Sequence, residues 1–132
     1  MTVSLNGQII GQASIATRAL LNRELDRVGL SFEQSVALNL AAGGGPVTVD
    51  ALVTGLRTPT AAAEAALSGL TEAGLLAADG TVTPAGADLQ KQVSARIAEI
   101  TGRLYGDLPA DDLVTAARVL TEVTARANAE LA

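Results

Sequence analysis

Residues Thr58 to Gly86 read TPTAAAEAALSGLTEAGLLAADGTVTPAG, and the order of signals in this stretch decides the fold. Thr58 is a helix cap and Pro59 suits a first helical position, where a missing N–H costs nothing. Ala63, Leu67 and Leu70 then line one face at helical spacing, and Gly74 supplies a left-handed stop. Two short apolar runs follow, LLAA and TVT, flanking Asp79-Gly80. That dipeptide predicts a small hairpin closed by a type I′ turn. Pro84 opens the next helix, which the stripe Leu89, Val93, Ile97, Ile100 and Leu104 carries to about Tyr105. A helix, a tight hairpin and a long helix therefore succeed one another with no room for a linker.

Upstream, Thr48 caps a short helix over 49–56 that precedes the Thr58 helix by only a few residues, a helix-turn-helix spacing. Ser31 and Gln34 form a capping-box pattern for a helix to about Ala42, with Phe32, Val36, Leu38 and Leu40 as core candidates. Gly43-Gly44-Gly45-Pro46 ends it. The first helix spans about 6–28 and carries two stripes, one through Ile9, Ala13, Ala16 and Leu20 and one through Ile10, Thr17, Leu21, Leu25 and Val28. Arg18, Arg23 and Arg27 mark its solvated side. The last helix spans about 110–131, with Leu113, Ala117, Leu120, Thr124, Ala127 and Leu131 at spacings of four and three, an imperfect two-heptad seam. A small domain struggles to bury such a helix beside a two-sided first helix, so the terminal helices are expected to meet a second copy of the chain.

Composition bounds the chemistry. The chain has 132 residues, 48% hydrophobic, with Phe32 and Tyr105 as its aromatics, so the core is aliphatic. It contains neither Cys nor His, which removes disulfides, thiolate zinc sites, cysteine nucleophiles and histidine acid–base work. No acidic cluster has metal-ligand spacing, so neither metal nor cofactor is expected. Asp111-Asp112 falls in the first turn of a helix, where carboxylates complement the dipole. Gly43–Gly45 lack the Lys-Ser/Thr of a phosphate loop. An enzyme is not expected. No apolar run is long enough to span a membrane and no signal peptide is read, so the expected location is the cytoplasm.

The pieces GLSFEQSVALNLAAGGGPVTVDALVTGL (29–56), LTEAGLL (70–76), VTPAGADL (82–89) and LPADDL (108–113) occur in an order that resembles the multiple antibiotic resistance regulator (MarR) family of winged-helix transcription factors. The most specific are Leu-x-x-x-Gly-Leu at Leu70–Leu75 and Thr-Pro-Ala-Gly at Thr83–Gly86. The resemblance implies a mostly α, winged helix-turn-helix chain with a small β-hairpin wing, formed by one domain over 1–132. Within it, 1–30 and 106–132 would be dimerisation helices, 31–86 the winged helix-turn-helix and 87–105 a connecting long helix. It also implies a homodimer whose two recognition helices enter successive major grooves roughly 34 Å apart. Ile9, Ile10, Ala13, Leu113, Ala117, Leu120, Thr124, Ala127 and Leu131 would form the dimer interface. A ligand pocket often lies between the dimer helices and the winged helix in this family, so a small-molecule effector is a second expected partner.

Aligned back from Gly74, the groove-facing positions are Thr60, Ala61, Ala62, Glu64 and Ala65, with Arg57 and Thr58 at the helix head. The wing reduces to Asp79, Gly80 and Thr81. Here the chain departs from the family, whose recognition helices are polar or basic and whose wings are longer and carry an arginine. Between Gly43 and Gln90 one base, Arg57, stands against Asp50, Glu64, Glu72, Asp79 and Asp88, which leaves most of the chain's net charge of −5 in the half expected to meet DNA. Phosphate contacts normally supply much of DNA affinity. Two readings follow: a regulator of double-stranded DNA helped by flanking Arg23, Arg27, Lys91 or Arg96, or a relative that binds protein or small molecules instead.

Overall fold

The computed structural model describes residues 2–132; Met1, the first residue of the 1–30 segment, lies outside them. Six helices follow in order: α1 (Gly7–Asp26), α2 (Phe32–Ala42), α3 (Val49–Leu56), α4 (Thr60–Glu72), α5 (Pro84–Tyr105) and α6 (Ala110–Leu131). The described residues form two compact units, one ending at Ile97 and one spanning Ala98–Ala132.

Local chemistry explains most helix ends in the first unit. Asn6 caps α1 by accepting from the Ile9 N–H at 2.9 Å. The Ser31–Gln34 capping box is complete: Gln34 N–H donates to Ser31 Oγ at 3.1 Å, and Ser31 N–H donates to Gln34 Oε1 at 3.0 Å. Thr48 Oγ1 accepts from Ala51 N–H at 3.1 Å. At the end of α4, Leu75 N–H donates to the Leu70 carbonyl at 2.9 Å and Gly74 N–H to that of Thr71 at 3.1 Å, a Schellman closure around Gly74 at φ +77°.

The head of α4 differs from the expectation. Thr58 does not cap it. Pro59 is the cap residue, extended at φ −61° and ψ 148°, and no side chain caps the helix. The proline ring fixes φ at a value that the cap position accepts, so the helix begins one residue later, with Ala62 and Ala63 N–H groups donating to the Pro59 carbonyl.

The wing is also smaller than expected. It is one antiparallel bridge, Leu76 with Val82, rather than a ribbon of two strands. Its turn is not type I′, which would need a positive φ at Asp79; among the described non-glycine residues only Arg57 has one. Gly80 N–H instead closes on the Ala77 carbonyl at 3.0 Å and Ala77 N–H on that of Thr81 at 2.8 Å, giving a three-residue loop with Gly80 left-handed at φ +86°.

The first unit's core holds Leu25, Leu38, Leu52 and Leu70, all nearly inaccessible to solvent, with Leu30, Val47 and Leu76. Helix α2 packs on α1, α3 and α4, and α3 packs on α4. On α2 the buried stripe is Ala37, Leu38 and Ala41. Leu40, expected in the core, is 46% exposed, while Phe32 and Val36 are half-buried. Alanines occupy this stripe because they let helices approach closely, and the larger Leu40 points away. Gln34 bridges the helices: besides its cap it donates from Nε2 to the Ala66 carbonyl at 3.5 Å, and a Cβ on Gly69 would fall 2.6 Å from that nitrogen.

Thr83-Pro84-Ala85-Gly86 is the joint between the wing and α5. Thr83 Oγ1 donates to the Gly74 carbonyl at 2.7 Å and accepts from Gly86 N–H at 3.1 Å, so one hydroxyl ties the end of α4 to the first turn of α5. A Cβ on Gly86 would run into the Leu75 carbonyl.

In the second unit, α6 carries no buried residue. Val114, Leu120, Val123 and Leu131 are all exposed on it. Asp111 and Asp112 lie in its first turn.

Candidate nucleic-acid interface and ligand pocket

Helix α4 buries Ala63, Ala66 and Leu70 at a spacing of three and four, which turns its opposite side outward. Thr60, Ala61, Ala62, Glu64 and Ala65 are all exposed there, and Thr58 is half-buried just ahead of them. Arg57 ends α3 in the left-handed region, at φ 52° and ψ 40°. Arginine lacks glycine's freedom in that region, and such strain persists only where neighbouring structure holds it. It lies in the tight α3–α4 joint, two residues before the extended Pro59. Of the seven residues proposed from sequence for DNA, Arg57 and Thr58 thus lie in the α3–α4 joint and the other five on the outer side of α4.

The turn of Asp79, Gly80 and Thr81 folds back on the segment before α3. Val47 N–H donates to the Gly80 carbonyl at 3.0 Å, and a Cβ on Gly80 would fall 2.6 Å from the Val47 carbonyl oxygen. Asp79 Oδ1 accepts from the Thr81 hydroxyl at 2.6 Å and from the Thr81 N–H at 3.1 Å. These bonds, the hydroxyl's foremost, hold the Asp79 carboxyl below its ordinary range. The carboxylate is committed to shaping its own loop.

Three of the four cations expected to help at DNA gather elsewhere. Glu24 of α1 is only 5% exposed. Its carboxylate meets Arg96 Nε at 2.7 Å, Arg23 Nε at 2.9 Å and Arg27 at 3.4 Å. The Arg96 hydrogen bond does most to hold the Glu24 pKa down; burial opposes it, and Arg23 and Arg27 add to the lowering. Arg23 and Arg27 therefore do not simply mark a solvated side. Arg18 stacks over the Phe32 ring, 3.9 Å from its centroid, with Glu33 3.9 Å away. The sequence reading missed Glu24, although its place between Leu20, Leu21 and Val28 on the apolar face was a usable signal.

A partly open pocket of about 110 Å³ lies among α1, α2 and the part of α5 up to Ile97. Its wall is largely apolar, from Leu21, Phe32, Val36, Val93 and Ile97. Asn39, Gln90 and Ser94 add a polar edge: Gln90 Nε2 donates to Asn39 Oδ1 at 3.1 Å and to Ser94 Oγ at 2.9 Å. Tyr105, a weaker candidate for a pocket residue, is not part of this wall and is exposed.

The sequence matches no family model and no curated protein. Solved structures match over nearly their whole length. The Mycobacterium tuberculosis MarR family protein Rv2887 in complex with DNA aligns at a TM-score of 0.77 and 21% identity, over 92% of this chain and 98% of that one. The MarR fold is shared. The reduced form of MarR from E. coli aligns at 0.75 and 20% identity, over 92% and 95% of the two chains. CouR from Rhodococcus jostii RHA1, bound to p-coumaroyl-CoA, aligns at 0.76 and 19% identity, over 89% and 90%. A transcriptional regulator of the MarR family from Rhodococcus sp. RHA1 aligns at 0.77 and 18% identity, over 89% and 91%. Among the described residues, no group of three or more acidic side chains is placed to hold a metal ion, and no helix is long and apolar enough to cross a membrane.

Proposed function

We propose that this chain is a dimeric, ligand-responsive regulator that reads double-stranded DNA with α4. The observation that carries this reading is the outer face of α4: Thr60, Ala61, Ala62, Glu64 and Ala65 exposed together, headed by a left-handed Arg57 and a helix start that no side chain caps. Open N–H groups at a helix start favour phosphate, and Arg57 adds a cation beside them. Alanine can meet a thymine methyl, threonine can hydrogen-bond a base edge, and Glu64 can accept from a cytosine amino group. The DNA complex of Rv2887 supports the same use of the fold. Effector response is supported by the α1/α2/α5 pocket, since Rv2887 has also been crystallised with salicylic acid and CouR with p-coumaroyl-CoA.

Affinity in this reading rests on few phosphate contacts. Arg23, Arg27 and Arg96 are drawn to Glu24, and the wing offers Asp79 in place of an arginine. Fluorescence anisotropy with the chain's own upstream DNA, across a salt series, tests this. A shallow slope reflecting only a few phosphates per dimer is expected. Absence of binding at low salt would overturn the DNA reading.

The same arginine cluster and folded-back wing favour a second reading, in which the fold has lost DNA and serves a protein or small-molecule partner. Effector binding without DNA binding would select it.

A further inference from the structure

We propose that the α1/α2/α5 pocket selects an uncharged, single-ring ligand bearing one hydrogen-bonding group, and discriminates against carboxylates. This rests on the reading of the pocket as the effector site. None of the residues lining it is charged. A carboxylate entering an apolar wall without a cation loses hydration that nothing replaces. Four guanidinium groups near the pocket are engaged by other residues and do not line it: Arg18 lies over Phe32 and near Glu33, and Arg23, Arg27 and Arg96 converge on Glu24.

The polar edge has neutral donors and acceptors in balance. Gln90 Nε2 points its protons at Asn39 Oδ1 and Ser94 Oγ, which leaves Gln90 Oε1 to accept and the Asn39 amide and Ser94 hydroxyl to donate. An amide or hydroxyl group can use both the donors and the acceptor of this edge, whereas a carboxylate can use only its neutral donors and leaves Gln90 Oε1 without a partner from the ligand. The volume of about 110 Å³ sets the size. It is somewhat below the engineered apolar cavity of about 150 Å³ that binds benzene, and it is partly open, so one six-membered ring fits with its substituent at the edge.

Methyl-resolved NMR of the full chain, titrated separately with benzene, benzamide and benzoate at neutral pH, tests the proposal. Benzamide is expected to shift the methyls of Leu21, Val36, Val93 and Ile97 and to bind at least ~10-fold more tightly than benzoate, as an unpaired buried charge requires. Gln90→Lys, on a half-buried helical position, is expected to reverse the preference in favour of benzoate. Benzoate binding to the unmodified chain as tightly as benzamide, with the same methyls moving, would overturn the uncharged class while leaving the pocket standing. If neither benzene nor benzamide moves those methyls, the pocket reading falls and takes the proposal with it. Should Gln90→Lys not fold, the preference of the unmodified chain decides alone.

Discussion

Arg96 Nε lies 2.7 Å from Glu24 Oε1, so α5 is fastened to α1 through a carboxylate that is almost wholly inaccessible to water. Arg23 of α1 and Arg27, the cap residue just past its end, complete its coordination. Three guanidinium groups around one carboxylate leave a local positive excess, so the carboxylate holds together groups that would otherwise repel.

Glu24→Gln should therefore lower the melting temperature by several degrees at neutral pH. Because the folded pKa of Glu24 is lowered, chiefly by Arg96, its contribution is fully present above the ordinary value of about 4.5 and is lost as pH falls through the folded value. Urea titrations of both proteins should give a constant stability difference from pH 7 down to about pH 5 and a shrinking one below that. A difference independent of pH down to 3 would show that the ion pairs contribute nothing through this titration.

The joint between wing and α5 makes a second prediction. Gly86→Ala drives a methyl into the Leu75 carbonyl and towards Val82, with backbone on one side that cannot yield. A loss of about 1–3 kcal/mol by urea denaturation is expected, the usual range for overpacking. Gly55→Ala in α3 is the control: nothing lies within 4 Å of its added Cβ, and the helix should gain about 0.5–1 kcal/mol.

Helix limits were legible because the chemistry that sets them is local. Ser31 with Gln34, Thr48 and Pro84 each act within a few residues, and α2, α3 and α5 begin where those residues place them. Gly74 likewise stops α4, its own N–H donating to the Thr71 carbonyl and the Leu75 N–H to that of Leu70. What the sequence did not reveal depends on partners distant in the chain. Glu24 looks like a surface acid until Arg96, on another helix, is brought to it. Leu40, expected in the core, is exposed while Ala37 is buried, because α2 must approach its neighbours closely. The wing turn is decided by Val47, which takes the Gly80 carbonyl and draws the loop down. For the proposed DNA face, the residues and their shared helix side were readable locally, while the pairing of Arg23, Arg27 and Arg96 with Glu24 needed the fold.

Arg57 separates stability from function. Glycine at this left-handed position removes a side-chain strain but adds unfolded-state freedom, so Arg57→Gly should leave stability within about 1 kcal/mol of the parent. DNA affinity should fall, and the salt slope should drop by about one phosphate for each subunit. An unchanged slope would remove Arg57 from the DNA contact.

Helix α6 makes the case for a second copy. It runs 22 residues, roughly 33 Å, without one buried side chain. Val114, Leu120, Val123 and Leu131 are exposed on it, and on α1 Ile9 and Ile15 are exposed as well. Most helical stability in proteins comes from packing an apolar face, so a helix of this length with its seam open to water is marginal alone. Leu120→Glu places a charge in the middle of that seam. If α6 joins a partner copy, the variant should elute at the single-chain mass of 13.3 kDa in light scattering where the parent shows twice that, and its helical circular dichroism should weaken. The first unit should survive, because its core draws on no residue of α6, so the methyl spectrum of Leu25, Leu38, Leu52 and Leu70 should be retained. A parent that is already a single chain would end the dimer reading, and with it the spacing of two α4 helices that double-stranded DNA requires.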